Sequence, residues 1–453
     1  MKNHRLLLII TGIVALLFIA SLTYSMLSDQ DLYNYHTGLG SSISVSPDDM
    51  TLVFSYYENG SEAIYQGSVQ GGAVEKVTDP ANEDHRRPQL SPDGEGLVYL
   101  AADNDGVQSL QFKSNVSADR SERLTGTDAH VVDAAFSPDG RTIYYIAMPS
   151  EDFLKPEGGK ENGADLFSVP TEGGEPVKLT DKDSFAMDGL TASADGNTLY
   201  YTEFDGVQGL MAYSIAEGTE TAALQGALRG DVYQLVFSPV QELLAYTAVS
   251  ESSFDSGSTY EYELFLLKTA TSETNKLTDF RAFVTSPSFF HQDNRIAFLS
   301  QPNWPDQPED FELMTVNYDS GEIASVRLDL PETTRGFQPA ILAYWVTTPV
   351  AITGLYLLLF GLLTVYSRRV WNKAYVPAII SAILSGIAVA GSFAAASFDP
   401  WIGIGVFMLA AGMAACTAVI FVFALLYSNL AKRKRRNNRK GALKSRFLFD
   451  RNG

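Results

Sequence analysis

Alternating apolar and polar residues dominate the chain between residues 43 and 330, and turn residues interrupt the alternation at short intervals. The stretch AAFSPDGRTIYYIA at 134–147 shows the unit: an apolar run, the turn Ser-Pro-Asp-Gly, and a second alternating run. A period of two is typical of strands that bury one face, and Pro, Asp and Gly favour tight turns. This stretch therefore predicts a β-hairpin.

The hairpin returns six times, from SPDD at 46–49 to HQDN at 291–294. Each unit continues with another alternating run and a turn, which is rich in Gly in several units. Four of the units then close on a strand that ends in Thr: KVTD at 76–79, RLTG at 123–126, KLTD at 178–181 and KLTD at 276–279. Four short strands per unit, repeated six times, predict an all-β six-bladed β-propeller. Its ring closes either blade by blade or through an outer strand from residues 31–42.

One strand position carries a large aromatic residue in every unit. Because neighbouring blades pack face to face, we expect this position to lie in the core between blades. The six residues are Phe54, Tyr99, Tyr144, Tyr200, Tyr246 and Phe298.

The sequence FSPDG followed by IYY, LFSV and GGEPVKLTD resembles the repeat of TolB-type propellers, which is related to WD40-like repeats. The resemblance covers roughly residues 43–330. It implies a propeller of the kind found in cell-envelope complexes, and it is not specific for any activity.

Four further segments lack charged residues and are long enough to cross a bilayer as helices, at 6–22, 341–366, 374–398 and 402–427. Basic residues lie before the first, between the second and third, and after the fourth, whereas 398–401 has none. Because basic flanks stay in the cytoplasm, this pattern predicts a multi-pass cell-membrane protein with both termini cytoplasmic and the propeller extracytoplasmic. The first segment is an uncleaved anchor or, alternatively, a signal peptide.

The predicted organisation has six parts. They are a transmembrane anchor or signal peptide at 1–24, a linker at 25–42, the propeller at 43–330, a linker at 331–340, three transmembrane helices at 341–428 and a basic cytoplasmic tail at 429–453. Residues 29–340 hold 51 acidic and 18 basic residues, a balance that disfavours nucleic acid as a partner because phosphate is repelled.

The two ends of the propeller are expected to differ. We call the strands of a blade A to D from the axis outward. The A–B and C–D turns then share one end, the turn face, and the B–C and D–A connections share the other, the insertion face. Three long acidic insertions fall on the insertion face, at 149–163, 249–263 and 300–312. Each carries an aromatic candidate for binding: Phe153, Phe254 and Trp304.

The D–A connections also bring charged residues and histidines towards the channel mouth on the insertion face. These candidates are His85, Arg86, Arg87, His130, Asp133, Asp188 and Asp231. Such a ring suits a peptide or an ion, and the alternative is that each residue only fills space in the structure.

No catalytic or phosphate-binding motif and no metal-ligand spacing stands out, so we expect no enzyme activity, metal or cofactor. The predicted function is a membrane-anchored binding or scaffolding module of a bacterial envelope, contacting the bilayer through four helices. Its predicted partner is an envelope or membrane protein, a peptide or a glycan. The alternatives are a sensor or accessory subunit of a membrane complex, and a hydrolase with its site at the channel mouth.

Overall fold

A computed structural model describes residues 2–27, 32–156, 158–204, 208–224, 226–228, 232–254, 260–331, 348–398 and 400–449 of the 453-residue chain. The chain divides into two compact units. One unit is Asp31–Thr334, and the other combines Met1–Gln30 with Arg335–Gly453.

The first unit consists of six four-stranded antiparallel blades, in which the strands follow one another from the inner to the outer edge. The strands of blades one to three are β1 (Gly38–Val45), β2 (Thr51–Glu58), β3 (Ser61–Ser68), β4 (Gly72–Lys76), β5 (Asp84–Leu90), β6 (Leu97–Ala102), β7 (Gln108–Lys113), β8 (Glu122–Arg123), β9 (Ala129–Phe136), β10 (Thr142–Pro149), β11 (Asp165–Pro170) and β12 (Val177–Lys178).

Blades four to six repeat this arrangement. Their strands are β13 (Ala186–Ala192), β14 (Thr198–Phe204), β15 (Gln208–Ser214), β16 (Thr219–Ala222), β17 (Val232–Phe237), β18 (Leu243–Val249), β19 (Tyr262–Lys268), β20 (Glu273–Lys276), β21 (Phe283–Phe289), β22 (Arg295–Gln301), β23 (Glu312–Asn317) and β24 (Ile323–Ser325). A last strand, β25 (Leu328–Asp329), follows blade six, and short helices precede blade one (Leu32–Tyr35) and lie in two insertions (α1, Ser150–Phe153; α2, Glu251–Phe254).

The first strand of each blade lines a central channel, and side chains of one inner strand bind backbone N–H groups of the next. Ser44 Oγ accepts from Leu90 N at 3.2 Å, and Gln89 Oε1 accepts from Phe136 N at 3.2 Å. The ring continues back to the start, because Ser288 Oγ accepts from Val45 N at 3.1 Å. The predicted six-bladed propeller is confirmed by these sheets and their closed ring of inner strands.

The residues that recur in the sequence close the turns and the outer strands. In the third unit, Ser137 Oγ donates to Asp139 Oδ1 at 2.6 Å and accepts from Thr142 N at 3.0 Å. The repeated Thr near the end of the outer strand accepts an N–H of strand C in four blades: Thr78 from Ile64, Thr125 from Leu110, Thr180 from Leu166 and Thr278 from Leu264.

The repeated aromatic position lies between blades, as predicted. Phe54, Tyr99, Tyr144, Tyr246 and Phe298 are buried. Tyr200 is half-buried, with its ring centroid 4.4 Å from that of Phe237 in the next blade. Burial of these large rings supplies much of the hydrophobic stabilisation between blades.

Besides the Ser288–Val45 bond, blade one contacts the end of the propeller through its outer strand and through its first turn. Strand β25 pairs in parallel with β4, the outer strand of blade one. The Asp49 carboxylate accepts hydrogen bonds from the backbone N–H groups of His291, Gln292 and Asp293 at 2.7, 2.7 and 3.0 Å. Residues 38–42 belong to the inner strand of blade one, so they do not supply an outer closing strand.

The second unit contains four long apolar helices, which are α3 (Lys2–Leu27), α4 (Pro349–Val370), α5 (Val376–Ala396) and α6 (Pro400–Phe449). Each contains a stretch long and apolar enough to cross a membrane. Tyr356 of α4 packs near Phe18 of α3, with ring centroids 5.7 Å apart. Its hydroxyl bonds Ser381 of α5 at 2.7 Å, and Ser381 bonds Thr417 of α6 at 2.6 Å.

Candidate functional site

Every inner strand has an irregularity near its middle, where its pairing with the second strand shifts register. In blade two the shift lies between Arg86 and Gln89, and Arg87 has a φ of 50°. A bulge of this kind bends the strand and changes the direction of its side chains. The repeated bulge therefore places polar side chains of several blades towards the channel.

Three of the predicted residues meet through such bulges. Arg87 Nη1 lies 2.8 Å from Asp188 Oδ1 and 3.3 Å from Asp133 Oδ1, so one guanidinium links blades two, three and four. Asp133 Oδ2 also accepts from Leu190 N at 2.8 Å. Burial raises the pKa of Asp133, and Arg87 opposes the rise. Burial alone would lower the pKa of Arg87, but Asp188 and Asp133 outweigh it and raise the pKa.

Arg86 lies in a different ion-pair cluster, between blades one and two. Its Nε is 3.1 Å from Glu62 Oε2, and its Nη2 is 3.3 Å from Asp84 Oδ2. Glu62 is buried, and burial raises the pKa of its carboxyl group, against the effect of Arg86. A buried carboxylate needs a partner of opposite charge. This explains why Arg86 pairs with Glu62 and does not join Arg87 at Asp133 and Asp188.

The two predicted histidines occupy the same position of neighbouring inner strands and are buried. The His85 ring centroid lies 4.8 Å from that of Tyr99. His130 stacks on Phe153 with centroids 3.6 Å apart, and its Nδ1 accepts from Gln108 N at 3.2 Å. Burial lowers the pKa of both histidines, against the effect of Glu83 for His85. With a contribution from Lys160, the pKa of His130 falls to about 4.

The aromatic residues of the insertions fold back onto the propeller where the structure describes them. Phe153 covers His130. Trp304 stacks on Phe283 with centroids 4.9 Å apart, and its Nε1–H donates to Tyr260 O at 2.8 Å. These contacts fix the insertions as parts of the insertion face. Two further candidates, the Phe254 side chain and Asp231, lie outside the described residues.

The sequence interpretation missed three exposed aromatic side chains on the insertion face. Phe185 is 68% exposed, Phe204 43% and Tyr260 52%. The rings of Phe185 and Phe204 lie beside each other, with centroids 6.3 Å apart. Phe185 lies in the polar connection DKDSFAMDG. An isolated aromatic residue among polar neighbours is the sequence feature that could have predicted its exposure.

The turn face has a different channel mouth, a cavity of about 450 Å³. Prolines of the repeated turns surround it, together with uncharged residues of the inner strands and His291. No Asp, Glu, Lys or Arg side chain lines it among the described residues. The ion pairs of Arg87 therefore lie away from this channel mouth. Among its described lining residues, His291 is the one side chain that can carry a charge.

The site offers charge and aromatic surface rather than a reactive constellation. Within the described ranges, no group of three or more His, Cys, Asp or Glu side chains is arranged to hold a metal ion. The contacts of His85, His130 and Asp133 found in those ranges do not include one another. What the arrangement can do is bind through its exposed rings and partly exposed ionic groups.

The chain matches no protein-family model and no curated protein. Among solved structures it is similar to a putative TolB from Agrobacterium tumefaciens, with 19% identity over 56% of this chain and 83% of that chain and a TM-score of 0.44. TolB from Acinetobacter baumannii is 14% identical over 66% of this chain and 65% of that chain, with a TM-score of 0.47.

Another similar structure is an oligogalacturonate lyase in complex with manganese. It is 13% identical over 70% of this chain and 82% of that chain, with a TM-score of 0.45. Similar structures thus include TolB proteins, as the repeat implied, and also an enzyme.

Proposed function

We propose that the chain is a non-catalytic binding module of the cell envelope, held in the membrane by its apolar helices, and that it binds a protein or peptide through the insertion face. One observation carries the proposal. All three aromatic side chains of the described propeller residues with more than 40% exposure lie on that face: Phe185, Phe204 and Tyr260. Exposed rings on a rigid scaffold are typical of protein-binding surfaces.

The charge of the propeller specifies the partner further. Residues 29–340 carry a large acidic excess, and the insertions 149–163, 249–263 and 300–312 contribute to it. An acidic surface with aromatic groups favours a partner whose contact surface is basic and apolar. The same charge disfavours nucleic acid and anionic lipid as ligands of this face.

The non-catalytic assignment is supported by the state of the candidate acid and base groups. His85 and His130 are buried between blades, and Asp133 is bound to Arg87. A general base needs to reach its substrate within hydrogen-bond distance, and neither His130, which stacks on Phe153, nor Asp133, which is paired with Arg87, is presented at an open surface.

Photo-cross-linking in intact membranes tests the binding face. A photoreactive phenylalanine analogue at Phe185 or Tyr260 is expected to give a discrete protein adduct, and the adduct from position 260 should be weakened by Phe185→Ser with Phe204→Ser. Met50 and Val240 are matched control positions, because they are 63% and 60% exposed but belong to turns of the turn face. Equal adducts from both faces, or adducts from Met50 and Val240 alone, contradict the proposal.

Sidedness is part of the same proposal. The propeller is placed outside the cytoplasm and both termini inside, as the basic flanks of the helices predict. Cys416 is the one cysteine of the chain and is buried in α6, so background labelling is low. Met50→Cys in intact cells should react with a membrane-impermeant maleimide, whereas reaction only after lysis places the propeller in the cytoplasm.

A second candidate function is an accessory or sensor subunit of a membrane complex, and the helices favour it. Hydroxyl groups of Tyr356, Ser381 and Thr417 connect α4, α5 and α6 through hydrogen bonds. Polar contacts of this kind hold transmembrane helices in a defined arrangement. The test replaces all four helices by an unrelated membrane anchor. If the protein is a scaffold, the propeller should still bind its partner. If it is a sensor or accessory subunit, its association with the membrane complex should be lost.

A further inference from the structure

A polar groove of about 510 Å³ lies between blades one and two, beside the outer strand β4. Its walls come from β4, from the connection 77–85 and from the turn 116–121 of blade two. We propose that this groove binds an uncharged, hydroxyl-rich ligand, such as the sugar units of a glycan, through His85 and Lys113. This site is separate from the exposed aromatic residues of the insertion face and does not depend on the protein partner proposed for them.

His85 points to a ligand because it is buried without a hydrogen-bond partner. Its side chain is 7% exposed, and neither ring nitrogen has a hydrogen-bond partner among the described residues. Glu83 Oε1 is 3.6 Å from Nε2, which is too far for a hydrogen bond. A buried polar group without a partner costs free energy. A neutral imidazole ring has one N–H donor and one acceptor nitrogen. A ligand hydroxyl group reduces this cost because it can accept a hydrogen bond from the first nitrogen or donate one to the second.

Lys113 is the second buried group on the groove. It ends β7, is 5% exposed, and donates one hydrogen bond from Nζ to Val77 O at 2.8 Å. No ion pair of Lys113 is found in the described part of the chain. An ammonium group has three donors, so its remaining N–H groups are suited to ligand oxygen atoms.

The charges around the groove exclude strongly charged ligands. Its lining contains four carboxylates and two ammonium groups: Glu75, Asp79, Glu83, Asp119, Lys76 and Lys113. The acidic excess repels an anion, and the buried ammonium group of Lys113 repels a cation that enters beside it. Hydroxyl groups have no such penalty, because they donate to carboxylates and accept from N–H groups.

Tyr99 completes the chemistry of the groove. Its hydroxyl donates to Ser121 Oγ at 2.8 Å, and its ring supports His85. The hydroxyl oxygen therefore retains an acceptor site for a ligand. The lining thus offers both hydrogen-bond donors and acceptors, which suits the hydroxyl groups of a sugar.

The proposal is tested on the full-length protein in nanodiscs. Neutral glucan, mannan and galactan oligosaccharides are compared with amino-sugar and uronic-acid oligosaccharides. Binding is followed by NMR of the histidine imidazole groups. The chain has five histidines, so these signals are few, and the signal that is missing from the spectrum of the His85→Phe variant is assigned to His85. We expect a neutral oligosaccharide to shift the His85 signal and to leave those of the other histidines in place.

Two variants and a matched control measure the contribution of the buried groups. His85→Phe keeps a ring against Tyr99, and Lys113→Met keeps the chain length, and each should weaken oligosaccharide binding about tenfold. Lys268→Met is the control, because Lys268 also ends a third strand but pairs with Glu273 at the surface of blade five. The proposal fails if no neutral oligosaccharide shifts the His85 signal, if charged sugars bind in preference, or if both variants bind like the wild type.

Discussion

The turns of blade six and blade one meet through a different kind of contact from that between the turns of consecutive blades. Between consecutive blades the repeated turns nest together. Gly94 of blade two lies against Pro47 of blade one, and Gly140 of blade three lies against Pro92 of blade two. Both glycines have positive φ, and an added Cβ would lie 3.2 and 3.6 Å from the proline Cδ. The contacts between these turns therefore depend mainly on shape, whereas the inner strands of the same blades are also linked by hydrogen bonds and by the ion pairs of Arg86 and Arg87.

At the closing junction, a carboxylate replaces the glycine. Asp49 occupies the Gly position of the first turn, with a φ of 60°, and accepts from three backbone N–H groups of blade six. The partner turn is also atypical, HQDN instead of SPDG. Strand β25 adds two pairs to β4, and Tyr56 Oη donates to Pro331 O at 2.6 Å.

The difference has an entropic cause. Consecutive blades are held near each other by a short connection, whereas closing the ring brings together segments about 240 residues apart. Directed hydrogen bonds to a charged group stabilise such a contact more strongly than nesting of small residues does. The comparison predicts that the closing junction is more sensitive to substitution than the others.

The largest effect is expected for Asp49→Gly, although it restores the consensus of the repeat. Glycine relieves the positive φ, but the variant leaves three backbone N–H groups without their acceptor. We expect a loss of about 3 kcal/mol in the free energy of unfolding of the propeller. The measurement is thermal or urea unfolding of the full-length protein.

Asp48→Gly is the matched control for Asp49→Gly. Among the described residues, the Asp48 carboxylate bonds only within its own turn, to Ser46 Oγ and Met50 N. Its loss should cost clearly less, about 1 kcal/mol. Equal destabilisation by both variants would show that Asp49 has no special role in closing the ring.

An intermediate effect is expected at the junction of blades two and three, where stability should depend on pH through His130. Its pKa is about 4 in the folded protein and near 6.5 in the unfolded chain. The unfolded chain therefore binds more protons between these values, and the contribution of His130 to stability falls as the pH falls. Lowering the pH from 8 to 5 should cost about 2 kcal/mol through this residue.

His130→Phe isolates this contribution, because other titrating groups remain in both proteins. The variant loses the acceptor for Gln108 N and is expected to be less stable at pH 8. The difference in unfolding free energy between wild type and variant should shrink towards pH 5. A difference that stays constant with pH would contradict the buried, neutral state of His130.

The smallest effect is expected for Tyr56→Phe, which removes the hydroxyl that binds Pro331 O at the closing junction. Loss of one such hydrogen bond should destabilise the propeller by about 1 kcal/mol. Tyr213→Phe is the control, since Tyr213 Oη donates to Leu179 O at 3.2 Å between blades three and four. The apparent Tm of each variant is measured by thermal unfolding, and Tyr56→Phe is expected to lower it more than Tyr213→Phe does. If both variants lower the Tm equally, this hydrogen bond does not distinguish the closing junction from the others.

The candidate site was only partly predictable from the residues. The D–A connections identified Arg87, Asp133 and Asp188, which do meet, because the repeat fixed their positions near the inner strands. The same reasoning grouped Arg86 with them, although Arg86 binds Glu62. Adjacent residues of a strand point to opposite sides, and a bulge changes which side faces the channel, so spacing alone did not separate Arg86 from Arg87.

By itself, the sequence determined the six repeated blades, the aromatic layer between them and the four apolar helices. These features depend on local periodicity and on the length of uncharged runs, which are written along the chain. Only the tertiary structure decided the closing contact of Asp49, the separate environments of His85 and His130, and the groove between blades one and two. Each of these joins groups from different strands or blades, and their distances depend on packing that no local pattern encodes.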